Sequence, residues 1–95
     1  MDEIVADYRD DAVFITPAGV LRGKDGIRQA FTKLLSEVPQ ATWNLKTTIY
    51  EDDILFLEWD AEGGGNRIQD AVDTFVFRGG LIRVQTVRYT LQPAR

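Results

Sequence analysis

The sequence predicts an α+β domain in which helices cover one face of an antiparallel, twisted sheet. Three observations carry that reading. Ile27, Phe31, Leu34, Leu35 and Val38 recur at three- and four-residue steps, the spacing of one helical face. Beyond Pro39, four stretches of strand length are rich in β-branched, aromatic and aliphatic residues. The last two of them meet at Arg78-Gly79-Gly80, where paired glycines supply the positive φ of a tight hairpin.

In chain order, Asp2–Tyr8 reads as the last turns of a helix, with Ile4, Val5 and Tyr8 at helical spacing. So short a segment is not stable alone. Either a longer helix has been lost before it, or tertiary packing holds the turn. Asp10-Asp11 is read as a turn. Ala12–Thr16 is a short strand stopped by Pro17, and Val20-Leu21-Arg22 returns the chain. Lys24–Val38 is the main helix, with Asp25 suiting the dipole of its first turn and Pro39 blocking its continuation. In Ala41–Tyr50, alternation puts Trp43, Leu45, Thr47 and Ile49 on one face. Glu51-Asp52-Asp53 is a charged turn. Ile54–Glu62 carries Leu55, Leu57, Trp59 and Ala61 on one face, with Ile54, Phe56, Glu58 and Asp60 opposite. Glu62–Arg67, with its three glycines, reads as a flexible loop, Ile68–Leu91 as the final strand pair, and Gln92–Arg95 as a frayed tail.

Composition narrows the chemistry. Ninety-five residues make one expected domain, 1–95, with a modest core. There is no cysteine, hence no disulfide framework and no thiolate chemistry. There is no histidine, which removes the commonest general base and the commonest metal ligand. No metal and no cofactor is expected: the P-loop, the dinucleotide fingerprint and zinc spacing are all missing. A net charge of −4 with scattered arginines argues against nucleic acid as a partner. No apolar run reaches membrane-spanning length, and the acidic start is unlike a signal peptide, so a cytoplasmic location is expected.

One residue breaks the pattern. Alternation places Ala71, Asp73, Phe75 and Phe77 on a single face. An acid among phenylalanines on a buried face is costly unless paired, protonated or wet. Asp73 is therefore the first candidate functional residue, with a pKa raised by desolvation. The alternative is an architectural acid satisfied by Tyr89, Gln85 or a nearby arginine. Glu58 and Asp60 read as solvated, Asp10-Asp11 as turn chemistry, and Gly63–Gly65 as a loop with no phosphate-binding helix after it.

The runs Tyr8–Pro17 and Gly23–Phe31, then Asp73-Thr74-Phe75 and Arg78–Ile82, resemble the SnoaL-like branch of the nuclear transport factor 2-like superfamily. The resemblance spans nearly the whole chain. It implies an α+β cone: a curved antiparallel sheet with helices on its concave face, here with the N-terminal helix largely missing. It also implies an apolar pocket with one or two polar groups, and commonly a dimer through the outer sheet face. The family includes polyketide cyclases, ketosteroid isomerases, scytalone dehydratase, limonene epoxide hydrolase and members that only bind. Asp73-Thr74-Phe75 is similar to the stretch in which its steroid isomerases keep a protonated acid that donates to a substrate oxygen. Thr16 stands where those enzymes carry their base. The cyclases use His and Asp, and the epoxide hydrolases an Asp-Arg-Asp set, for which Arg83 or Arg88 are the available partners.

The resulting expectation is a small-molecule binding domain. Its apolar pocket is lined by Phe14, Thr16, Trp59, Phe75, Gln85, Val87 and Tyr89, with Asp73 as polar anchor and Trp43 a lesser candidate for the lining. The alternatives are an isomerase, cyclase or epoxide hydrolase using Asp73 as acid or base, and a structural dimerisation domain. The expected partners are a small apolar molecule and a second copy of the chain. The homodimer would form through Ile54, Phe56, Val72, Val76, Ile82 and Val84 on the outer sheet face.

Overall fold

The computed structural model describes residues 2–94. A helical turn α1 (Asp2–Val5) leads into β1 (Tyr8–Thr16), β2 (Gly19–Arg22) and the long helix α2 (Gly23–Glu37). There follow β3 (Thr42–Glu51), β4 (Ile54–Gly63), β5 (Asn66–Arg78), β6 (Leu81–Arg88) and β7 (Leu91–Pro93). The strands build one curved, unclosed sheet in the order β2-β1-β6-β5-β4-β3, with β7 added along the start of β5. All pairings are antiparallel except β1 with β6, which is parallel because the chain returns to β1 only after the α2 crossover and the β3–β5 meander.

Helix α2 lies on the concave face against β1 and β2. Ile27 and Val38 are fully buried, while Leu35, one position beyond the centre of the apolar stripe, is exposed. Gly26 lets the helix approach β2 closely: a Cβ there would stand 3.0 Å from Leu21 Cβ. The turn at Gly79-Gly80 has φ of 63° and 82° between the paired residues Arg78 and Leu81, as the hairpin requires. The supposed loop Glu62–Arg67 is tighter than expected. Strands run to Gly63 and resume at Asn66, and only Gly64-Gly65, with φ of 60° and 83°, turns the chain.

Four register shifts bend the sheet, and each re-aims side chains that simple alternation would misplace. In β3 the shift lies at Lys46. Thr48 and Tyr50 therefore share the concave face with Trp43 and Leu45, and Thr47 and Ile49 turn outward, against the expected alternation. In β5 the shift at Gln69–Asp70 brings Ile68 inward beside Ala71, where it is fully buried. In β6 it lies at Arg83 and turns Ile82 inward, against Phe77 and Tyr8. Ile82 is thus a core residue and not part of the outer face to which alternation assigned it. The fourth lies between Tyr8 and Val13 of β1.

Three further expectations change. Asp10-Asp11 is not a turn but part of β1. The strand carries these acids because basic side chains meet them: Arg9 and Arg83 reach Asp11 at 2.7 and 3.4 Å, and Lys24 reaches Asp10 at 3.5 Å. Tyr8 accordingly belongs to a strand and is buried, not at a helix end. The C-terminal segment is not frayed through Gln92, because Leu91–Pro93 pairs with Asn66–Ile68. Arg95 lies outside the described residues.

Candidate functional site

The bent sheet and α2 enclose a cavity of about 900 Å³. Its base is a chain of buried polar groups on β1, β4, β5 and β6. Inward alternation on β5 delivers Asp73, which is 5% exposed. Trp59 on β4 donates from Nε1 to Asp73 Oδ1 at 2.7 Å. Gln85 on β6 donates from Nε2 to Asp73 Oδ2 at 2.7 Å. The Tyr8 hydroxyl donates to Gln85 Oε1 and so fixes which way the amide faces.

Burial pushes the Asp73 carboxyl above its ordinary range, and the hydrogen bonds from Trp59 and Gln85 only partly counter it. Both of its partners are neutral donors. Among the described residues no lysine or arginine pairs with it. Burial and the nearby Asp73 charge raise the Tyr8 phenol well above the usual tyrosine value.

A second polar group stands toward the mouth. The Tyr89 hydroxyl donates to Glu37 Oε1 at 2.5 Å, and Lys33 lies 3.7 Å from Glu37 Oε2 on the next turn of α2. Burial first, and Glu37 second, raise the Tyr89 phenol. Of the three pairings open from sequence, Tyr89 therefore does not satisfy Asp73; Gln85 does, and among the described residues no arginine takes part.

The cavity wall gathers the residues singled out from sequence. Phe14, Thr16, Trp59 and Asp73 line it, and so do Phe75, Gln85, Val87 and Tyr89. The Thr16 hydroxyl also accepts from the Ala18 backbone N–H at 3.1 Å, so its oxygen is engaged in the β1–β2 turn. Trp43 is at the rim, 46% exposed, its ring tilted on Trp59 with centroids 5.4 Å apart. Sequence reasoning missed Tyr8 as the fourth member of the buried chain, and it missed the α2 contribution of Phe31, Leu34 and Glu37. The signal for Glu37 was present: it lies three residues after Leu34, on the apolar stripe. Glu58 and Asp60 face away from Trp59, on the outer side.

The site can do two things. Ionised, Asp73 still has lone pairs to offer the cavity; protonated, it has one O–H to donate. Among the described residues no group of three or more metal-ligating side chains gathers, and no helix is long and apolar enough to cross a membrane.

A profile of the SnoaL-like domain family matches residues 1–85. The chain belongs to that family. Solved structures agree with the SnoaL-like fold. An NTF-2 like protein of unknown function from Burkholderia xenovorans superposes with TM-score 0.78 at 18% identity, over 99% of this chain and 72% of that one. A protein from Sinorhizobium meliloti described as a putative polyketide cyclase gives 0.75 at 14% identity, over 90% and 79%. One from Kribbella flavida described as a putative ketosteroid isomerase gives 0.74 at 14% identity, over 94% and 64%. At such identities the likeness is one of fold. No protein of curated function matches the sequence.

Proposed function

We propose that this SnoaL-like domain binds a small, largely apolar molecule whose one polar group is held by Asp73. The observation that carries the reading is a buried carboxyl, 5% exposed, at the wall of an otherwise mainly apolar cavity of about 900 Å³. That volume lies within the usual range for small-molecule sites. The test is a calorimetric titration with bicyclic aromatic compounds bearing one alcohol, ketone or amine. Saturable binding by any of them, weakened in Asp73→Asn, is the expected result. No binding by any compound up to its solubility limit refutes the reading.

A second reading is an isomerase- or cyclase-type enzyme on the same pocket, with Asp73 as acid or base. It draws on the raised pKa of Asp73, whose burial makes the carboxyl hold its proton more tightly than an exposed acid does. Epoxide hydrolysis is not part of this second reading, since among the described residues no arginine pairs with Asp73. In the same proposal the domain is a cytoplasmic homodimer. The outer face carries Ile49 and Ile54, which are exposed, and Phe56, Val72, Val76 and Val84, which are half-buried. Light scattering at micromolar concentration tests the dimer, and a monomeric mass refutes it.

A further inference from the structure

We infer that the ligand of this cavity is an organic cation: a protonated or quaternary amine carried on an apolar body. The inference rests on the reading of the cavity as a binding site and names the chemical class it selects. Asp73 is buried against two neutral donors, the Trp59 indole and the Gln85 amide, and lacks a counter-charge among the described residues. A carboxylate so placed is best completed by a positive charge from the ligand.

The walls fit the same class. Six aromatic rings line the cavity, from Phe14, Phe31, Trp43, Trp59, Phe75 and Tyr89. Their faces attract cations, and indole does so most strongly. The Trp59 ring is pinned by its own hydrogen bond to Asp73, and Trp43 and Tyr89 stand with centroids 5.4 and 6.1 Å from it. A second carboxylate, Glu37, lines the cavity beside Tyr89. Among the described residues the one basic side chain in the lining is Lys33, and it is 70% exposed and turned to Glu37 at the mouth. An anionic ligand would meet two carboxylates and aromatic rings, with no buried cation among the described residues to hold it. A neutral ligand would leave Asp73 without its counter-charge.

The test uses the wild-type chain and one naphthalene body carrying four different head groups. Calorimetry at pH 8 compares 2-naphthylmethylamine, 2-naphthylmethyl-trimethylammonium, 2-naphthylmethanol and 2-naphthoate. The two cations are expected to bind at least about tenfold more tightly than the alcohol, with the carboxylate weakest. Asp73→Asn should reduce the preference to within about threefold while the alcohol still binds. Glu37→Gln, at the half-buried mouth, should reduce it by less. Equal binding of alcohol and amine overturns the cationic class and leaves the binding reading intact. Tightest binding of the carboxylate overturns it also. Binding of none of the four overturns both. The wild-type comparison decides the matter even if Asp73→Asn does not fold.

Discussion

Replacing Asp73 by leucine separates what the acid does for the fold from what it does for a ligand. Leucine has the same branched shape but is bulkier and accepts no hydrogen bond. The Trp59 indole N–H and the Gln85 amide N–H, both now 2.7 Å from a carboxylate oxygen, would each lose their acceptor. A stranded buried donor costs about 1–3 kcal/mol. Against this, removal of the carboxyl relieves the burial that raises its pKa, and added apolar contact offsets more. The net expectation is a loss of about 2 kcal/mol, or a fall in urea midpoint of roughly 2 M for a domain of this size. Asparagine keeps one acceptor but sets an N–H₂ against the second donor, so its loss should be about 1 kcal/mol. A double substitution of Asp73 and Gln85 by leucine should cost less than the sum of the two singles, because the stranded amide goes with its acceptor. Equilibrium urea melts of the wild type and the four variants supply all of this. If Asp73→Leu lies within about 0.5 kcal/mol of wild type, the hydrogen-bond argument is wrong and the acid is held by its packing alone.

The pH profile of stability follows from the raised pKa of Asp73. The folded protein holds this proton more tightly than the unfolded chain, whose carboxyl titrates near its ordinary value of 3.8. The contribution is therefore fully present below that value and is lost as pH rises toward the folded pKa. The stability difference between wild type and Asp73→Asn should fall across that window and be flat above it, and a difference that rises with pH contradicts the assignment. Asp70, whose pKa is lowered by hydrogen bonds from Thr90, has the opposite sign: Asp70→Asn should narrow the gap to wild type as pH falls below about 4. Gly63→Ala would put a Cβ 2.5 Å from the Pro39 carbonyl oxygen, and thermal melts should show a loss of about 1–3 kcal/mol from overpacking. Tyr89→Phe removes the hydroxyl that donates to Glu37 and should cost about 1 kcal/mol in urea melts.

Local physics made much of the fold readable. The α2 stripe and the Gly79-Gly80 turn are decided by residues within a few positions of one another. The alternation on β4 and around Asp73 survives because no register shift falls between Asp73 and Phe75 or between Leu55 and Trp59. Sequence failed where one strand's register depends on its neighbour. The shift at Arg83 has no mark in the string Leu81–Arg88, and it alone converts Ile82 from an outer to an inner residue. Asp10 and Asp11 looked like turn residues because two of their three basic partners, Lys24 and Arg83, are distant in sequence, and only Arg9 is close. Tyr8 and Gln85 are 77 positions apart, and only the parallel pairing of β1 with β6 brings them together.

The same register shifts that hid part of the fold are what make a site possible. A flat sheet would lay Trp59, Asp73 and Gln85 side by side under the helix and bury them in a packed core, where an acid with only neutral partners is a pure cost. Bent at Lys46, Gln69–Asp70 and Arg83, the sheet curls away from α2, which packs mainly on β1 and β2 and meets β4 and β5 through Leu34 and Glu37 at its C-terminal end, and leaves a cavity on the concave side of β4 and β5. The acid then faces space. Asp73 has enough hydrogen bonds to hold its geometry and too few opposite charges to be content as an anion. That imbalance is resolved in the apo protein by a raised pKa, and in a complex by whatever the cavity admits. A cationic ligand should therefore lower the Asp73 pKa as it binds and release a proton near the raised value. A neutral ligand should release none. Calorimetry of the naphthylmethylamine complex in two buffers of different ionisation enthalpy, at a pH just above 4, measures that proton directly. Equal apparent enthalpies in the two buffers would show that the carboxylate was already ionised and that burial is not what the ligand relieves.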